Sequence, residues 1–269
     1  PFTDGPDTDM VFAYRKDSLG GTVTYLTKTL IAAGGNSTGA ARDIWRWDIR
    51  LAGYSSLGAS VSIYGDHFKA GSASGSATSD QERRLVEATA IRNDANARPA
   101  GWQVIVCGDF NMQASTESAF QELVGSLPNN RGRFVDPINT TGTWNNQSGK
   151  RFVHTQAPGG VVSTSGGMDD RFDFILLGTE LTDGVGFDYI GNPSIAYSTT
   201  TWDDPNHSYR AWGNDGSSFN ANITTTNNAM VGTTIATALK TTADSDTFGG
   251  HLPVVLSLRV PPVAGSTLT

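Results

Sequence analysis

The sequence predicts one domain that mixes α-helices with β-strands, and three observations support this fold class. The 269 residues fit a single large domain of this kind. Hydrophobic residues make up 38% of the chain, which is enough to build a substantial core. Predicted strands and helices are interspersed along the whole length, and no internal repeat divides them. We therefore predict one α/β (α+β) domain over residues 1–260, followed by a linker or tail at 261–269.

The strands are predicted from alternating or continuous apolar patterns. Trp45, Trp47 and Ile49 fall on one face of a strand over 43–51, and Arg46 falls on the other. The run at 103–107 is apolar and short, as expected for a strand that is buried on both faces. Further strands are predicted at 11–15, 61–68 (with a break at 65–66), 171–177 and 251–260.

Helices are predicted where apolar residues recur at the helical period. Leu85, Ala88 and Ile91 form such a stripe over 80–97, and either Ser79 or Asp80 is a suitable N-cap. Further helices are predicted at 115–125 and 228–242, whereas the Asn-, Thr- and aromatic-rich stretch at 178–226 is expected to be irregular.

Composition and charge exclude several classes of protein. With 19 Lys and Arg against 26 Asp and Glu, the net charge of −7 argues against a general polyanion-binding surface. The single cysteine, Cys107, excludes an intramolecular disulfide and a cysteine-based zinc site. No apolar run has the roughly 18–20 residues that a membrane span requires. Only 17% of the residues are charged, and Ser, Thr, Asn and Gly are abundant, which favours a secreted or cell-surface protein.

The sharpest motif is Gly-Asp-Phe-Asn at 108–111, directly after the predicted buried strand. Asp109 and Asn111 are two residues apart and point into the same cleft. Asp109 could ligate a divalent cation or hold a nucleophilic water, and Asn111 could donate to a phosphoryl oxygen. The alternative is an Asx-type turn that only closes the strand.

Two of the four histidines, His67 and His251, stand at ends of predicted strands. A lone histidine is more often structural, but two beside an Asp-x-Asn motif favour a hydrolytic site. Asp173 lies within an otherwise apolar strand and needs a partner. A histidine is the natural partner because a carboxylate on one ring nitrogen raises the basicity of the other. The alternatives are Arg171 and a backbone amide.

The order of these motifs resembles the endonuclease/exonuclease/phosphatase superfamily. The motifs are His-x-Lys at 67–69, Gly-Asp-Phe-Asn at 108–111, Arg-Phe-Asp-Phe-Ile-Leu at 171–176 and His-Leu-Pro-Val at 251–254. The resemblance extends from about residue 9 to residue 258, and the segments at 152–156 and 166–171 look most like the secreted bacterial branch. It implies a DNase-I-like fold, a four-layer αββα sandwich of two mixed β-sheets.

The resemblance also implies a catalytic role for each matching residue. His251 would act on the attacking water or contact the scissile phosphate, and Asp173 would orient it. Asp109 and Asn111 would position water and phosphate. His67 would stabilise the transition state or protonate the leaving oxygen.

Three further residues are predicted to support substrate binding, and a metal ion is expected. Asn145 would contact a phosphate, Asp43 would orient the second histidine, and Arg171 would lie among the substrate contacts. The implied cofactor is Mg²⁺ or Mn²⁺, with Ca²⁺ as an alternative, and Asp109 is the predicted ligand in this chain.

The sequence departs from the superfamily pattern at two places. Gly249-Gly250 replaces the usual Ser-Asp before His251. The first strands and helix, which normally supply a metal-binding glutamate, have no counterpart, and Asp4, Asp7 and Asp9 lie in a turn-rich segment. We expect an N-terminally incomplete domain whose sheet is completed by a missing N-terminal segment or a partner chain. A repurposed domain is the alternative.

Three functions remain open from the sequence. The first is a metal-dependent phosphodiester hydrolase, specifically an extracellular nuclease acting on DNA or RNA. The second is a non-catalytic secreted module of the same fold in a structural or adhesive assembly. The third is a phosphomonoesterase or phospholipase of the same superfamily. The aromatic stretch at 186–222 could stack bases, pack the core or line a protein contact.

Overall fold

A computed structural model describes residues 10–15, 23–159, 166–243 and 250–262. Within these ranges, no helix combines the length and the apolar character that crossing a membrane requires. The predictions for Asp4, Asp7, Asp9, Gly249 and the tail at 263–269 lie outside the described residues. The predicted domain boundary at 260 stays a prediction.

A six-stranded mixed sheet forms the centre of the molecule. Its strand order is β1-β2-β3-β4-β6-β5, in which β3 and β4 run parallel and all other neighbours run antiparallel. The strands span β1 (Val23–Ala32), β2 (Ile44–Leu51), β3 (Ser60–His67), β4 (Gln103–Asp109), β5 (Phe134–Val135) and β6 (Asp173–Gly178).

Two helices cover one face of this sheet, α1 (Asp80–Asn96) and α2 (Ser118–Val124). Ala88, Ile91 and Phe120 from these helices pack against Val106 and Phe174 from the sheet in the largest core cluster. The predicted helices at 80–97 and 115–125 are therefore confirmed, and they form the first layer of the fold.

Two short ladders cover part of the opposite face and complete a second core. They pair β7 (Asp188–Tyr189) with β10 (Leu258–Arg259), and β8 (Arg210–Ala211) with β9 (Val254–Val255). Beyond them, α3 (Gly232–Ala243) contributes Ala236 to a third cluster that contains Leu252. The layers thus run helix, sheet, sheet, helix, and the predicted mixed α/β, four-layer fold class is confirmed.

Three details of the predicted elements are wrong. Residues 11–15 form no strand, because Phe12 stacks on Trp47 with ring centroids 5.8 Å apart and the segment lies against the sheet without pairing. The expected break at 65–66 is absent, and β3 pairs with β4 without interruption to His67. The predicted strand at 251–260 is divided into β9 and β10, which pair with different partners.

The aromatic stretch at 186–222 mainly packs the interior. Tyr189, Tyr197 and Tyr209 are buried in the core between the large sheet and the short ladders. Trp212 differs because 39% of its surface is exposed. Core packing is therefore the structural role of these three tyrosines.

An apolar cleft of about 530 Å³ opens between the two sheet layers, on the side of β1 and β2. Ile49, Val61 and Ile63 line it from the large sheet, and Phe187 and Leu258 line it from the second layer. The expectation that a further segment or a partner chain completes the sheet, like the absence of the first strands and helix, stays a prediction.

Candidate active site

The strand register places three of the predicted catalytic residues side by side. His67 is the last residue of β3 and pairs with Asp109, the last residue of β4. Asp109 also pairs with Asp173, the first residue of β6. Because paired residues project to the same face at about 5 Å spacing, these three side chains form a row at one end of the sheet.

His251 joins this row from a different part of the chain. The segment around it is fixed by an isolated bridge between Gln156 and His251 and by a hydrogen bond from the Leu252 N–H to the Thr155 carbonyl. Its Nδ1 lies 2.8 Å from Oδ2 of Asp173 and 3.8 Å from Oδ2 of Asp109. The predicted pairing of Asp173 with a histidine is therefore present.

The two carboxylate oxygens of Asp109 have different neighbours. Oδ1 accepts a hydrogen bond from the Asn111 N–H at 2.9 Å, which is the Asx-type turn considered from the sequence. Oδ2 lies 3.4 Å from Nε2 of His67. The turn and the functional arrangement are thus compatible, because the turn uses one oxygen and leaves the other beside the histidines.

Asn111 follows Asp109 by two residues and adopts a conformation that suits its residue type. Its φ of 51° is in the left-handed region, which asparagine tolerates better than most residues. Its Nδ2 donates to the Phe68 carbonyl at 3.1 Å, and the side chain is buried. The amide therefore ties the end of β4 to the end of β3.

Electrostatic interactions favour the protonated form of His251. Burial alone would lower the pKa of its imidazole. The hydrogen bond to Asp173 and the charges of Asp173, Asp109 and Asp170 outweigh burial and raise the pKa to about 9. Burial raises the pKa of Asp109, and the positive charge of His251 opposes that effect. At neutral pH, an imidazolium therefore stands next to a carboxylate of increased basicity.

Asn145 is linked to the site through Asp170. Its Nδ2 donates to Oδ2 of Asp170 at 3.1 Å, and burial raises the pKa of that carboxyl group to about 6. Asn145 also lines a polar cavity of about 280 Å³ together with Gln81 and Thr143. The side chain of Asn145 therefore faces an open cavity. Its contact with a phosphate stays a prediction.

Arg171 does not fit the predicted role in substrate binding, and this assignment is corrected. The side chain is fully buried, with its guanidinium bound to both oxygens of Asp136 at 2.8 Å. The guanidinium also lies over the ring of Phe174, 4.3 Å from its centroid. Arg171 is therefore a structural residue, and it is not the partner of Asp173 that was considered as an alternative.

Asp43 closes the loop between β1 and β2. Its Oδ1 accepts a hydrogen bond from the Gly34 N–H at 2.8 Å. Its neighbour Arg42 donates to the Phe68 carbonyl at 3.2 Å, which places the start of β2 near the end of β3. The predicted role of Asp43 in orienting His67 stays a prediction.

Thr155 belongs to the site, although no role was predicted for it from the sequence. Its hydroxyl donates to Oδ2 of Asp173 at 2.6 Å, the same oxygen that accepts from His251. The residue is 18 positions before Asp173 and outside any regular element, so no spacing rule connects the two. Only its place in a segment resembling the superfamily could have drawn attention to it.

The metal ligation predicted for Asp109 stays a prediction. Within the described ranges, no group of three or more His, Cys, Asp or Glu side chains is arranged to hold a metal ion. Asp109, the predicted ligand, has a backbone N–H on one oxygen and two imidazoles near the other. Asp173 Oδ2 already accepts two hydrogen bonds.

Comparison with known proteins finds similar solved structures only. No protein-family model and no curated protein sequence matches the chain. The human nocturnin catalytic domain with bound sulfate is 13% identical, with a TM-score of 0.37, covering 59% of this chain and 49% of that one. Humanised TDP2 of D. rerio is 16% identical, with a TM-score of 0.39, covering 63% and 59%.

A beta toxin mutant of Staphylococcus aureus with bound magnesium ions is similar to a comparable degree. It is 16% identical, with a TM-score of 0.35, and the match covers 60% of this chain and 51% of the toxin. The chain thus spans about half of the length of these solved structures. Similarity at this level assigns no activity to this chain.

Proposed function

We propose that this chain is a phosphodiester hydrolase of the endonuclease/exonuclease/phosphatase superfamily. One observation carries the proposal. His67, Asp109, Asp173 and His251, which lie in four separate motifs, come together in one row at the end of the sheet. Each motif alone has a structural explanation, whereas two histidines interleaved with two carboxylates are typical of acid–base catalysis.

In the proposed reaction, Asp109 is the general base. Its Oδ2 removes a proton from a water molecule as the water oxygen attacks phosphorus, and the raised pKa makes this carboxylate a better base than an exposed one. The imidazolium of His251 stabilises the negative charge that develops on the phosphoryl oxygens. Asp173 holds that imidazolium in place through Nδ1 and leaves Nε2 for the substrate.

His67 is the proposed general acid. It gives a proton to the leaving oxygen as the phosphorus–oxygen bond breaks, so that the products are an alcohol and a phosphomonoester. Asp109 then holds the proton taken from water, and His67 has lost one. Because Nε2 of His67 lies 3.4 Å from Oδ2 of Asp109, the proton can return directly and restore both groups.

The substrate that we propose is DNA or RNA outside the cell. The net charge of the chain is −7, which argues against a broad basic surface. The nucleic acid would therefore be bound through local contacts at the site. The polar cavity beside Asn145 offers amide and hydroxyl groups for such contacts. Secretion or display at the cell surface follows from the composition and is part of this proposal.

Hydrolysis assays with matched variants test the proposal. Wild type, His251→Ala, Asp109→Asn and the control Asp183→Asn, an exposed loop carboxylate, are compared on plasmid DNA, RNA and bis-p-nitrophenyl phosphate. Each is assayed with Mg²⁺, with Mn²⁺, with Ca²⁺ and with EDTA. We expect turnover by wild type and Asp183→Asn and losses of about 10²–10⁴ in the site variants.

The alternatives predict different outcomes once p-nitrophenyl phosphate and a phospholipid are added to the substrates. Equal background turnover by wild type and His251→Ala would identify a non-catalytic module. Turnover of p-nitrophenyl phosphate or of a phospholipid, without turnover of nucleic acid, would identify a phosphomonoesterase or a phospholipase. Activity that EDTA abolishes and Mg²⁺ restores would show that a cation completes the site.

A further inference from the structure

The geometry points to Thr155 as a positioning residue of the candidate active site. We propose that its hydroxyl fixes the orientation of the Asp173 carboxylate and, through it, of the His251 imidazole. The expected effect of Thr155 on turnover rests on the proposed function. Its effect on the orientation of Asp173 and His251 depends only on the contacts between these residues.

The direction of the hydroxyl hydrogen follows from the three groups around it. Oγ1 of Thr155 accepts from the N–H of Phe172 at 3.4 Å and from the N–H of Asp173 at 3.3 Å. Both are donors, so neither can receive the hydroxyl hydrogen. The remaining neighbour is Oδ2 of Asp173 at 2.6 Å, and the hydrogen must point there.

The same carboxylate oxygen accepts from two sides. Oδ2 of Asp173 receives the Thr155 hydroxyl at 2.6 Å and Nδ1–H of His251 at 2.8 Å. Two fixed donors on one oxygen restrict rotation of the carboxylate about its terminal bond, which is otherwise a broad torsion. The imidazole is thereby held with Nδ1 as the donor and with Nε2 directed away from Asp173.

The backbone of Thr155 is anchored to both sides of the site. Its N–H donates to the Asp170 carbonyl at 2.8 Å, ahead of β6. Its carbonyl accepts from the Leu252 N–H at 2.8 Å, next to His251. The side chain is fully buried. A residue anchored in this way can serve as the common reference point for Asp173 and His251.

The nearest alternative is that Thr155 only fills space. Thr155→Val keeps the shape and removes the hydroxyl, whereas Thr155→Ser keeps the hydroxyl and removes the methyl group. Thr140 provides a matched control, because it is also buried and its hydroxyl donates to a backbone carbonyl, that of Ile138, at 3.2 Å. Thr140→Val therefore measures the general effect of losing a buried threonine hydroxyl.

The first measurement does not need a substrate. The chain has four histidines, so their ring N–H signals can be resolved by NMR and that of His251 identified with His251→Gln. We expect a protected Nδ1–H of His251 in wild type, Thr155→Ser and Thr140→Val. In Thr155→Val we expect its exchange with solvent to be at least about tenfold faster. If Thr155→Val does not fold, Thr155→Ala takes its place.

The second measurement uses bis-p-nitrophenyl phosphate. We expect kcat to fall about 10- to 100-fold in Thr155→Val, with KM within about twofold, and to recover in Thr155→Ser. An unchanged Nδ1–H signal in Thr155→Val, or equal losses in Thr155→Val and Thr155→Ser, would overturn the proposal. A wild-type chain without turnover would overturn the proposed function, while the NMR result would still decide the role of Thr155.

Discussion

Nδ1 of His251 lies 2.8 Å from Oδ2 of Asp173, although 78 positions separate the two residues in the sequence. Asp173 begins a strand of the large sheet, whereas His251 precedes the short ladders of the second layer. The pair therefore forms only when both sheet layers are in place. The arrangement of side chains proposed for catalysis therefore depends on the folding of both layers.

Replacing Asp173 tests this relationship directly. In Asp173→Asn the carboxylate is lost, and we expect the pKa of His251 to fall from about 9 toward its ordinary value. We also expect turnover to fall by about 10²–10⁴, because a neutral ring no longer stabilises the charge that develops on the phosphoryl oxygens. NMR titration of His251 and kcat measured across pH check both effects.

Asp183→Asn is the matched control for this variant. That carboxylate is exposed and accepts a hydrogen bond only from the nearby Val185 N–H among the contacts described. Its loss should leave the pKa of His251 and the turnover as in wild type. An unchanged pKa of His251 in Asp173→Asn would contradict the proposed coupling.

The protonation of His251 should also affect stability. Its pKa in the folded state, about 9, lies above the value of about 6.5 expected for an unfolded chain. The stabilisation is therefore fully present below pH 6.5 and is lost as the pH rises through 9. The shift corresponds to at most about 3 kcal/mol. Because 27% of the ring surface is exposed, screening should reduce it to about 1–2 kcal/mol.

Urea unfolding of wild type and His251→Gln between pH 6 and pH 10 measures this contribution. We expect the difference in free energy of unfolding to be largest near pH 6 and to shrink above pH 9. A difference that stays constant over this range would contradict the assigned protonation.

Asp66 provides the opposite case, a buried carboxyl group without a partner. The residue is 1% exposed, and neither carboxyl oxygen has a hydrogen-bond partner among the described residues. Burial, followed by the charges of Glu87, Asp109 and Asp173, raises its pKa well above the ordinary value. The folded protein therefore loses stability as the pH rises from about 4, where an unfolded chain ionises.

Asp66→Asn should remove this loss. We expect the variant to gain about 1–3 kcal/mol in free energy of unfolding at pH 8 and to differ little at pH 4. Thermal and urea unfolding at both pH values, with Asp183→Asn as the exposed control, provide the measurement. An equal effect at pH 4 and pH 8 would show that Asp66 does not change its protonation between the two.

Local sequence patterns predicted the parts of the fold that depend on neighbouring residues. The alternation of Trp45, Trp47 and Ile49 predicted β2, and the apolar run at 103–107 predicted β4. The Gly-Asp-Phe-Asn motif predicted the end of β4, because a strand followed by a polar turn is a local feature. The predicted strand ends at His67 and Asp109 agree with the structure, and the catalytic roles of these residues and of Asp173 stay predictions.

The errors arise where tertiary contacts override local patterns. Residues 11–15 have the composition of a strand, but stacking of Phe12 on Trp47 holds them against the sheet. Arg171 is two positions before Asp173, and in a regular strand the two side chains would project to the same face. However, β6 begins only at Asp173, so the alternation of a strand does not extend back to Arg171. Thr155 was not predicted because its contact with Asp173 depends on the fold and follows no local spacing.

The buried pair of Arg171 and Asp136 gives the last prediction. Asp136 lies just after β5, and both of its oxygens bind the guanidinium of Arg171. Removing one member of a buried pair leaves the other charge without compensation, which costs about 3–5 kcal/mol. We therefore expect Asp136→Asn to lower the free energy of unfolding by about this amount in urea titrations.

A partly exposed ion pair in the same molecule provides the contrast. Asp203 contacts Arg210 at 3.1 Å, but 71% of the Asp203 side chain is exposed. Asp203→Asn should therefore cost less than about 1 kcal/mol. If Arg171 served the substrate, Asp136→Asn would change KM and leave stability nearly intact. The guanidinium of Arg171 is enclosed by Trp144, Phe174 and Tyr209, as expected for a structural residue. We therefore expect Asp136→Asn to lose much of its stability, whereas KM of the molecules that remain folded should not change.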